Sequence, residues 1–371
     1  MIYDNMLIPI IIPSLEPDER LLTLLRELTI AGYKNIVIVN DGSSSDYDCF
    51  FQSAEHDYGC VVLVHDENMG KGRALKNAFN YCLDTMPNII GCITADSDGQ
   101  HSVECISKCM DALMANTDKL VLGVRNFSGG NIPRKSMMGN KITCKVCKYL
   151  CGLSISDTQT GLRGIPKSFM EELLDVPGER FEFETQMLVA SINRYDIYEV
   201  EIKTIYDSVD NHVTHFDPIK DSFRIYKIFV KIFARYTFSS LSSWGVDLAF
   251  FALFEWILIK SASTFRAYIA LATVLARILS ATYNYLMNYV FVFKSIEKHS
   301  KAGYKYFLLA FIQMGFSALF TTLLSMGSWM SDITAKIIVD GTLFFISYYI
   351  QRRFIFYKSK KDVMITNGSV L

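Results

Sequence analysis

The chain has 371 residues, with 37 Lys and Arg against 38 Asp and Glu, a formal charge of −1, and half of its residues hydrophobic. A balance this close to neutral suggests no polyanionic partner, and so argues against a nucleic-acid-binding protein. The length allows two domains, and the character changes near residue 230, from alternating strands and amphipathic segments to long apolar spans.

In chain order, Met1 to Met6 lack a basic region, and Pro9 and Pro13 interrupt the apolar run that follows. No signal peptide is expected, which keeps the first domain in the cytosol. Leu7 to Ile12 read as a strand, and Asp18 to Ile30 as a helix with leucines at 21, 22, 24, 25 and 28. Asn35 to Asn40 form a second strand ending at Asp41-Gly42-Ser43. Val61 to Val64 form a third, followed by Asn68-Met69-Gly70-Lys71-Gly72 and a helix through Ala74 to Cys82. A fourth apolar run, Asn88 to Cys92, stops at Ala95-Asp96-Ser97-Asp98-Gly99-Gln100-His101, and Leu120 to Val124 give a fifth strand ending at Arg125. Short apolar strands separated by helices predict a mostly parallel sheet covered on both faces. In such sheets ligands lie beyond the carboxyl ends of the strands, so Asp41, Asn68, Asp96 and Arg125 should converge on one crevice.

The Asp96–Asp98 pair is the most informative feature. On extended backbone, carboxylates two residues apart share a side and reach one hard cation, a Mg²⁺ or Mn²⁺ with positions open for substrate phosphates. An isolated pair of this kind reads equally as a solvated turn capping the next helix. All nine cysteines lie at or before Cys151. Cys144, Cys147 and Cys151 fall at helical spacing without a second ligand pair, so reduced thiols are expected rather than a metal site.

Four apolar spans follow, Phe233–Ile259, Phe265–Phe293, Tyr304–Gly327 and Ile333–Phe356, each long enough to cross a bilayer. Lys294, Lys298, Lys301 and Lys305 flank the second connection, and Arg352, Arg353, Lys358, Lys360 and Lys361 follow the last span. This bias puts the first domain and both termini of a multi-pass membrane protein in the cytosol. His215 to Lys227 alternates bulky apolar and basic residues and reads as an amphipathic segment on the membrane surface. Arg277 falls near the middle of its span, with Asp247 and Asp340 as candidate partners; a structural ion pair and a lipid-phosphate path account for them equally.

Val39 to Ser44, Asn68 to Gly72, Ala95 to His101, Asp157-Thr158-Gln159-Thr160-Gly161-Leu162-Arg163 and Phe181 to Glu184 together resemble a family 2 glycosyltransferase of the polyprenyl- or dolichyl-phosphate hexose synthase type. Trp244 to Leu248, Ala276 to Ser280 with Asn284 and Asn288, Asp340, and Ser347 to Arg352 resemble a GtrA-like membrane domain. The resemblance implies an α/β GT-A domain, a Rossmann-like nucleotide-diphospho-sugar transferase, over residues 1–210. An amphipathic juxtamembrane segment at 211–232, a four-helix transmembrane domain at 233–357 and a cytosolic tail at 358–371 complete the expected architecture.

The resemblance also implies the residue roles. Pro13, Glu16, Asp41, Lys71, Asp96, Gln159 and Arg163 are expected to bind the nucleotide sugar, and Asp96, Asp98 and Gln100 to hold Mg²⁺ or Mn²⁺. Asp157, Arg125 and Arg134 are expected at the reacting centre, with Arg224 and Arg277 meeting the lipid phosphate. A surface ion pair is the alternative for Arg125 and for Arg134, a buried structural network for Gln159, and a juxtamembrane anchor for Arg224. The implied activity is inverting, metal-dependent transfer of a hexose from a nucleotide sugar, UDP-linked by the resemblance, to undecaprenyl phosphate for cell-envelope glycans. A homo-oligomer is compatible with it. Two other classes compete: a lipid-linked-sugar transporter, and a processive polysaccharide synthase, whose Gln-x-x-Arg-Trp motif is absent here.

Overall fold

The structure is a computed structural model that describes residues 7–125, 134–203, 217, 220–259, 267–325 and 331–356, the side chains of 134–136, 259, 267–270, 325 and 332–333 excepted. It divides into two compact units, Met1–Lys148 with Leu153–Ile228, and Tyr149–Gly152 with Phe229–Leu371.

The first unit is built on a seven-stranded sheet. Its strands are β1 (Ile10–Ser14), β2 (Ile36–Asn40), β3 (Val61–Val64), β4 (Gly91–Thr94), β5 (Leu120–Arg125), β6 (Arg163–Pro166) and β7 (Ile197–Ile202). Their spatial order is β3-β2-β1-β4-β6-β5-β7. The five strands expected from apolar runs are present, with the first and fourth shifted toward the crevice. β6 and β7 were not anticipated. β6 pairs antiparallel with both β4 and β5, and every other pairing is parallel. The sheet is therefore mixed, and mostly parallel.

Every residue of β1, β2, β4 and β6 is buried. That is the condition of strands sandwiched between helices, and it explains why they read as unbroken apolar runs. The helices of this unit are α1 (Glu19–Ile30), α2 (Asp48–His56), α3 (Lys71–Thr85), α4 (Val103–Ala115), α5 (Arg134–Val146), α6 (Lys167–Leu173) and α7 (Glu182–Ser191), and α1 shows how one cover forms. Asp18 caps it, its carboxylate accepting from the Arg20 amide at 2.9 Å, and Leu21, Leu24, Leu25 and Leu28 bury one stripe. Removing such a cap costs about 1 kcal/mol. The leucine stripe packs with Ile10, Ile12, Ile38, Ile93 and Val121 in the main core. The chain moves outward from β1 to β2 and β3, then returns to the other side of β1 as β4. This reversal is the switch point at which doubly wound sheets open a crevice.

β6 brings a different segment to that crevice. Thr94, the last residue of β4, lies opposite Arg163, the first of β6. The loop that precedes β6, residues 157–162, therefore reaches the same edge as the loops that follow β1, β2 and β4.

The second unit contains α8 (Lys220–Ile259), whose first turns belong to the first unit, α9 (Ala267–Met287), α10 (His299–Ser325) and α11 (Asp332–Ile350). α9 and α11 each continue into a π-helical turn, Asn288–Val292 and Gln351–Ile355. Four spans were expected. Among the described residues, Lys220–Leu258 and His299–Leu324 are long and apolar enough to cross a membrane, with mean hydropathy 1.4 and 1.9. Many of their apolar side chains, such as Leu241, Trp244, Phe311 and Leu319, are exposed, as a lipid-facing surface requires. Of the amphipathic segment expected before α8, residues 211–216 and 218–219 lie outside the described residues.

The interior of this unit carries a neutral polar ladder. Asn288, 0% exposed, donates from Nδ2 to Asn284 Oδ1 at 2.9 Å and to Gln351 Oε1 at 3.0 Å. Tyr306 donates to Asn284 Oδ1 at 2.6 Å, and Gln351 donates to Ser347 at 2.8 Å. Arg352 donates from Nε to the Cys151 carbonyl at 2.8 Å, and Tyr348 donates to the carbonyl of Leu150. All nine cysteines are free. Cys144 lies on α5 (Arg134–Val146), and Cys147 to Cys151 form a π-helical turn rather than the expected continuous α-helix.

Candidate functional site

Contacts run without a break through the residues at the carboxyl ends of the strands. Asp41, just past β2, is buried, and its carboxylate accepts from the Met69 amide at 3.0 Å and the Gly70 amide at 2.8 Å. His65 Nδ1 lies 2.8 Å from the same carboxylate, and the Asn77 amide meets His65 Nε2 at 2.9 Å. Because an amide NH₂ is a donor, Nε2 accepts and Nδ1 donates to Asp41. Asp41 thus ties down the turn at Gly70, whose φ of 100° favours glycine. That turn starts α3 (Lys71–Thr85) and presents Lys71 to the crevice. Across it, Glu16 at φ 48° is held through its amide by the Ser43 hydroxyl at 2.8 Å, beside the end of β1 that carries Pro13.

Lys71 bridges two carboxylates. Its Nζ donates to Asp96 Oδ1 at 2.7 Å and lies 3.0 Å from Glu184 Oε1, with the Phe181 ring 5.9 Å away. Glu184 stands in the first turn of α7 (Glu182–Ser191). Burial opposes the charge on Lys71, but the two carboxylates outweigh it and raise the ammonium above its ordinary range. Burial likewise opposes ionisation of Asp96, yet Lys71 and His101 hold that carboxyl well below the usual range. Asp98 behaves oppositely: burial, then the neighbouring Asp96 charge, push its carboxyl up.

The acidic pair does not lie on extended backbone. β4 ends at Thr94, and Ser97 to Gly99 turn, with Asp98 Oδ1 accepting the Gln100 amide at 3.1 Å. Polar Asp, Ser and Gly close a turn here, where the pair was read on extended backbone with a turn as the alternative. Gly161 packs directly on Asp96, where a Cβ would fall inside the carboxylate. His101 is 4% exposed and, among the described residues, neither ring nitrogen has a hydrogen-bond partner, although Nε2 lies 3.5 Å from Asp96 Oδ2.

These residues fit a divalent cation. Two carboxylates, one pushed up by burial and by the charge of the other, and a buried imidazole without a hydrogen-bond partner among the described residues form a donor set with too little positive charge. Among the described residues, no three His, Cys, Asp or Glu side chains form a completed metal cage. Mg²⁺ suits that arrangement, because it binds through one or two carboxylates and keeps positions for water and phosphate.

In the loop before β6, Asp157 is 0% exposed and accepts from the Arg125 guanidinium, Nε to Oδ2 at 2.6 Å and Nη2 to Oδ1 at 2.9 Å, and from the Arg125 amide at 3.4 Å. Gln159 is exposed, while its amide donates to Asp157 Oδ1 at 3.0 Å. Arg163 is 1% exposed. It donates to the carbonyls of Thr160 at 2.9 Å and Glu184 at 2.7 Å, tying the loop before β6 to α7. Its surroundings make it a brace of this crevice wall. Arg134 begins α5, and its side chain lies outside the described residues.

Arg224 pairs with Asp221 at 2.8 Å in the first turns of α8. In the helical unit Arg277, 71% of its side chain exposed, lies 3.4 Å from Asp247. Of the two candidate partners Asp247 is therefore the one beside it; Asp340 pairs with Lys336 one turn away at 3.1 Å and accepts from Ser317 at 2.6 Å. Glu184, His101 and Gly161 belong to the site but were not singled out by role. Only the tertiary approach of α7 and the β6 loop to Asp96 reveals them.

Residues 10–174 match the family model described as glycosyl transferase family 2, and residues 235–356 match that of the GtrA/DPMS transmembrane domain. The chain is 29% identical over 202 residues to an uncharacterized protein of Methanocaldococcus jannaschii, covering 53% of this chain and 81% of that one. It is 28% identical over 224 residues to the UDP-N-acetylglucosamine–dolichyl-phosphate N-acetylglucosaminyltransferase of Methanococcus voltae, covering 54% and 86%. It is 26% identical over 176 residues to the polyprenol monophosphomannose synthase of Mycolicibacterium smegmatis, covering 45% and 65%.

Proposed function

This chain joins a family 2 glycosyltransferase domain to a GtrA/DPMS transmembrane domain, and from that premise we propose that it transfers a sugar from a nucleotide sugar to the phosphate of a membrane-embedded polyprenyl phosphate. The observation that carries the reading is the presence of both domains on one chain. Relatives named for dolichyl-phosphate and polyprenol acceptors support it. In the finer reading the donor is a UDP-linked hexose, the acceptor undecaprenyl phosphate, and the product feeds cell-envelope glycans. The catalytic domain and both termini face the cytosol, where nucleotide sugars are found.

The chemistry follows from the residues at the crevice. Asp96 and Asp98, with the Gln100 side chain, would hold Mg²⁺ or Mn²⁺, which when bound supplies positive charge at the leaving diphosphate. Lys71 adds a second positive charge beside it. The acceptor is a phosphate monoester whose second pKa is about 6, so its oxygens are largely ionised at neutral pH. It can attack the anomeric carbon without losing a proton. The carbon–oxygen bond to the acceptor forms as the bond to the nucleotide diphosphate breaks, with inversion.

A general base is therefore unnecessary, and Asp157 is poorly suited to be one. Its carboxylate is fully buried and bound at both oxygens by Arg125. In this reading Asp157 orients Arg125, and Arg125 and Arg134 meet the phosphates. Pro13, Glu16 and Asp41 frame the nucleotide, and Gln159 faces the sugar. Arg224 and Arg277 stand on the lipid side.

The test uses the full chain in detergent with undecaprenyl phosphate, Mn²⁺ and a panel of labelled nucleotide sugars. One donor should yield a lipid phosphate carrying a single sugar. A polymer, or no labelled lipid with any donor, would refute the reading.

A further inference from the structure

We propose that Lys71 is the resident counter-cation of the acidic site and gives up Asp96 to a divalent ion when a nucleotide diphosphate arrives, with Glu184 as the second anchor on which it pivots. The inference rests on the reading that Asp96 and Asp98 hold a metal. It starts from the geometry of one ammonium and two carboxylates. Lys71 Nζ contacts Asp96 at 2.7 Å and Glu184 at 3.0 Å, and the two acids come from separate elements, the turn after β4 and the first turn of α7.

Asp96 cannot recede from Lys71. Gly161 packs against its carboxylate on one side, and His101 Nε2 lies 3.5 Å away on the other. A metal ion on Asp96 and Asp98 would therefore share one carboxylate with the Lys71 ammonium, and the two cations disfavour each other there. With Asp96, Asp98 and Glu184 against one lysine, the cluster is net negative and attracts a further cation.

Lysine suits such an exchange because its ammonium is a compact charge on a flexible stem, without the fixed fork of arginine. Once a divalent ion takes Asp96, Glu184 keeps Lys71 charged and inside the crevice. The incoming diphosphate then offers the ammonium a new anion. The metal and Lys71 compete when the crevice is empty and cooperate when nucleotide is bound. Glu184 is a positioning residue in this scheme, acting through Lys71.

The test measures Mn²⁺ binding to the full-length protein in detergent, by the paramagnetic resonance signal of free Mn²⁺, without nucleotide and with UDP or GDP. Without nucleotide, Lys71→Gln should bind Mn²⁺ about tenfold more tightly than the unmodified protein, since a close like charge has been removed. Glu184→Gln should bind it about threefold more weakly, because Lys71 then falls wholly to Asp96. With the diphosphate present, the advantage of Lys71→Gln should vanish or reverse.

A purely structural lysine predicts weaker Mn²⁺ binding in both variants, and that outcome overturns the exchange. Unchanged affinity in Lys71→Gln overturns it too. If Lys71→Gln does not fold, Glu184→Gln decides alone: unchanged nucleotide-free binding refutes the proposal. Mn²⁺ binding absent from every form, even with nucleotide, would overturn the metal reading and this inference with it, so the two failures are distinguishable.

Discussion

In the first unit Asp157 is wholly buried against Arg125, and Lys71 lies between two carboxylates. The interior of the second unit is held by amides and hydroxyls instead: Asn284, Asn288, Gln351, Ser347 and Tyr306. There the Arg277–Asp247 and Lys336–Asp340 pairs include exposed side chains, and buried Arg352 and Glu297 occur beyond the ends of α11 and α9. The difference reflects surroundings. The loops at a sheet end supply backbone amides and opposite charges that compensate buried ions. Helices in a bilayer keep their backbone groups for themselves, so a buried ion is costly and neutral amides do the joining. The first arrangement concentrates field for chemistry; the second fixes helix register.

The comparison can be broken at its sharpest point first. Gly161→Ala should push the Asp96 carboxylate aside while leaving the fold intact, lowering sugar transfer about 100-fold, as a displacement near 1 Å does. Steady-state rates alongside a melting curve would check it. Arg163→Met should act on stability more than on metal binding. Losing the charged donors to the Thr160 and Glu184 carbonyls should cost about 3 kcal/mol, read as a lowered unfolding midpoint.

In the helical unit the same kind of loss should be smaller. Asn288→Leu removes the bridge between Asn284 and Gln351 and should destabilise by about 1 kcal/mol, the scale of hydrogen bonds between membrane helices. A loss as large as that from Arg163→Met would contradict the contrast drawn above. The mildest test is thiol labelling. Burial pushes the Cys60, Cys82 and Cys109 thiols up to about 12, whereas Cys49 is exposed. A raised thiol value leaves almost no thiolate at pH 8, so Cys49 should react fast with a disulfide reagent and these three only after denaturation.

Much of the sheet was legible because β1, β2 and β4 are buried along their whole length and read as apolar runs. β6 was not, since Arg163-Gly164-Ile165-Pro166 carries a charge, a glycine and a proline in four residues. Its arginine belongs in a strand only because carbonyls from the preceding loop and α7 meet it. β7, Ile197–Ile202, alternates apolar and acidic residues and is a sheet edge, a weaker signal than a buried run. At the site, Asp41, Asp96 and Arg125 stood out by their places just past strand ends, and Lys71 and Asp157 through the family resemblance. Glu184 and Gly161 did not, because their importance comes from which atoms they approach across the fold. Depth in the span offered Arg277 both Asp247 and Asp340; it lies beside Asp247, and Asp340 takes the lysine one turn away.

The direction of β6 has one more consequence. A strand parallel to its neighbours would have delivered its trailing loop to the crevice, after a crossover. Reversed, it delivers its leading loop, so residues 157–162 arrive before the strand that anchors them and stay tethered at Arg163. Its upstream end is fixed as well, where buried Asp157 grips Arg125, so the loop is clamped at both ends. The exposed Gln159 side chain between those clamps is the natural place to graft a different selectivity onto this scaffold.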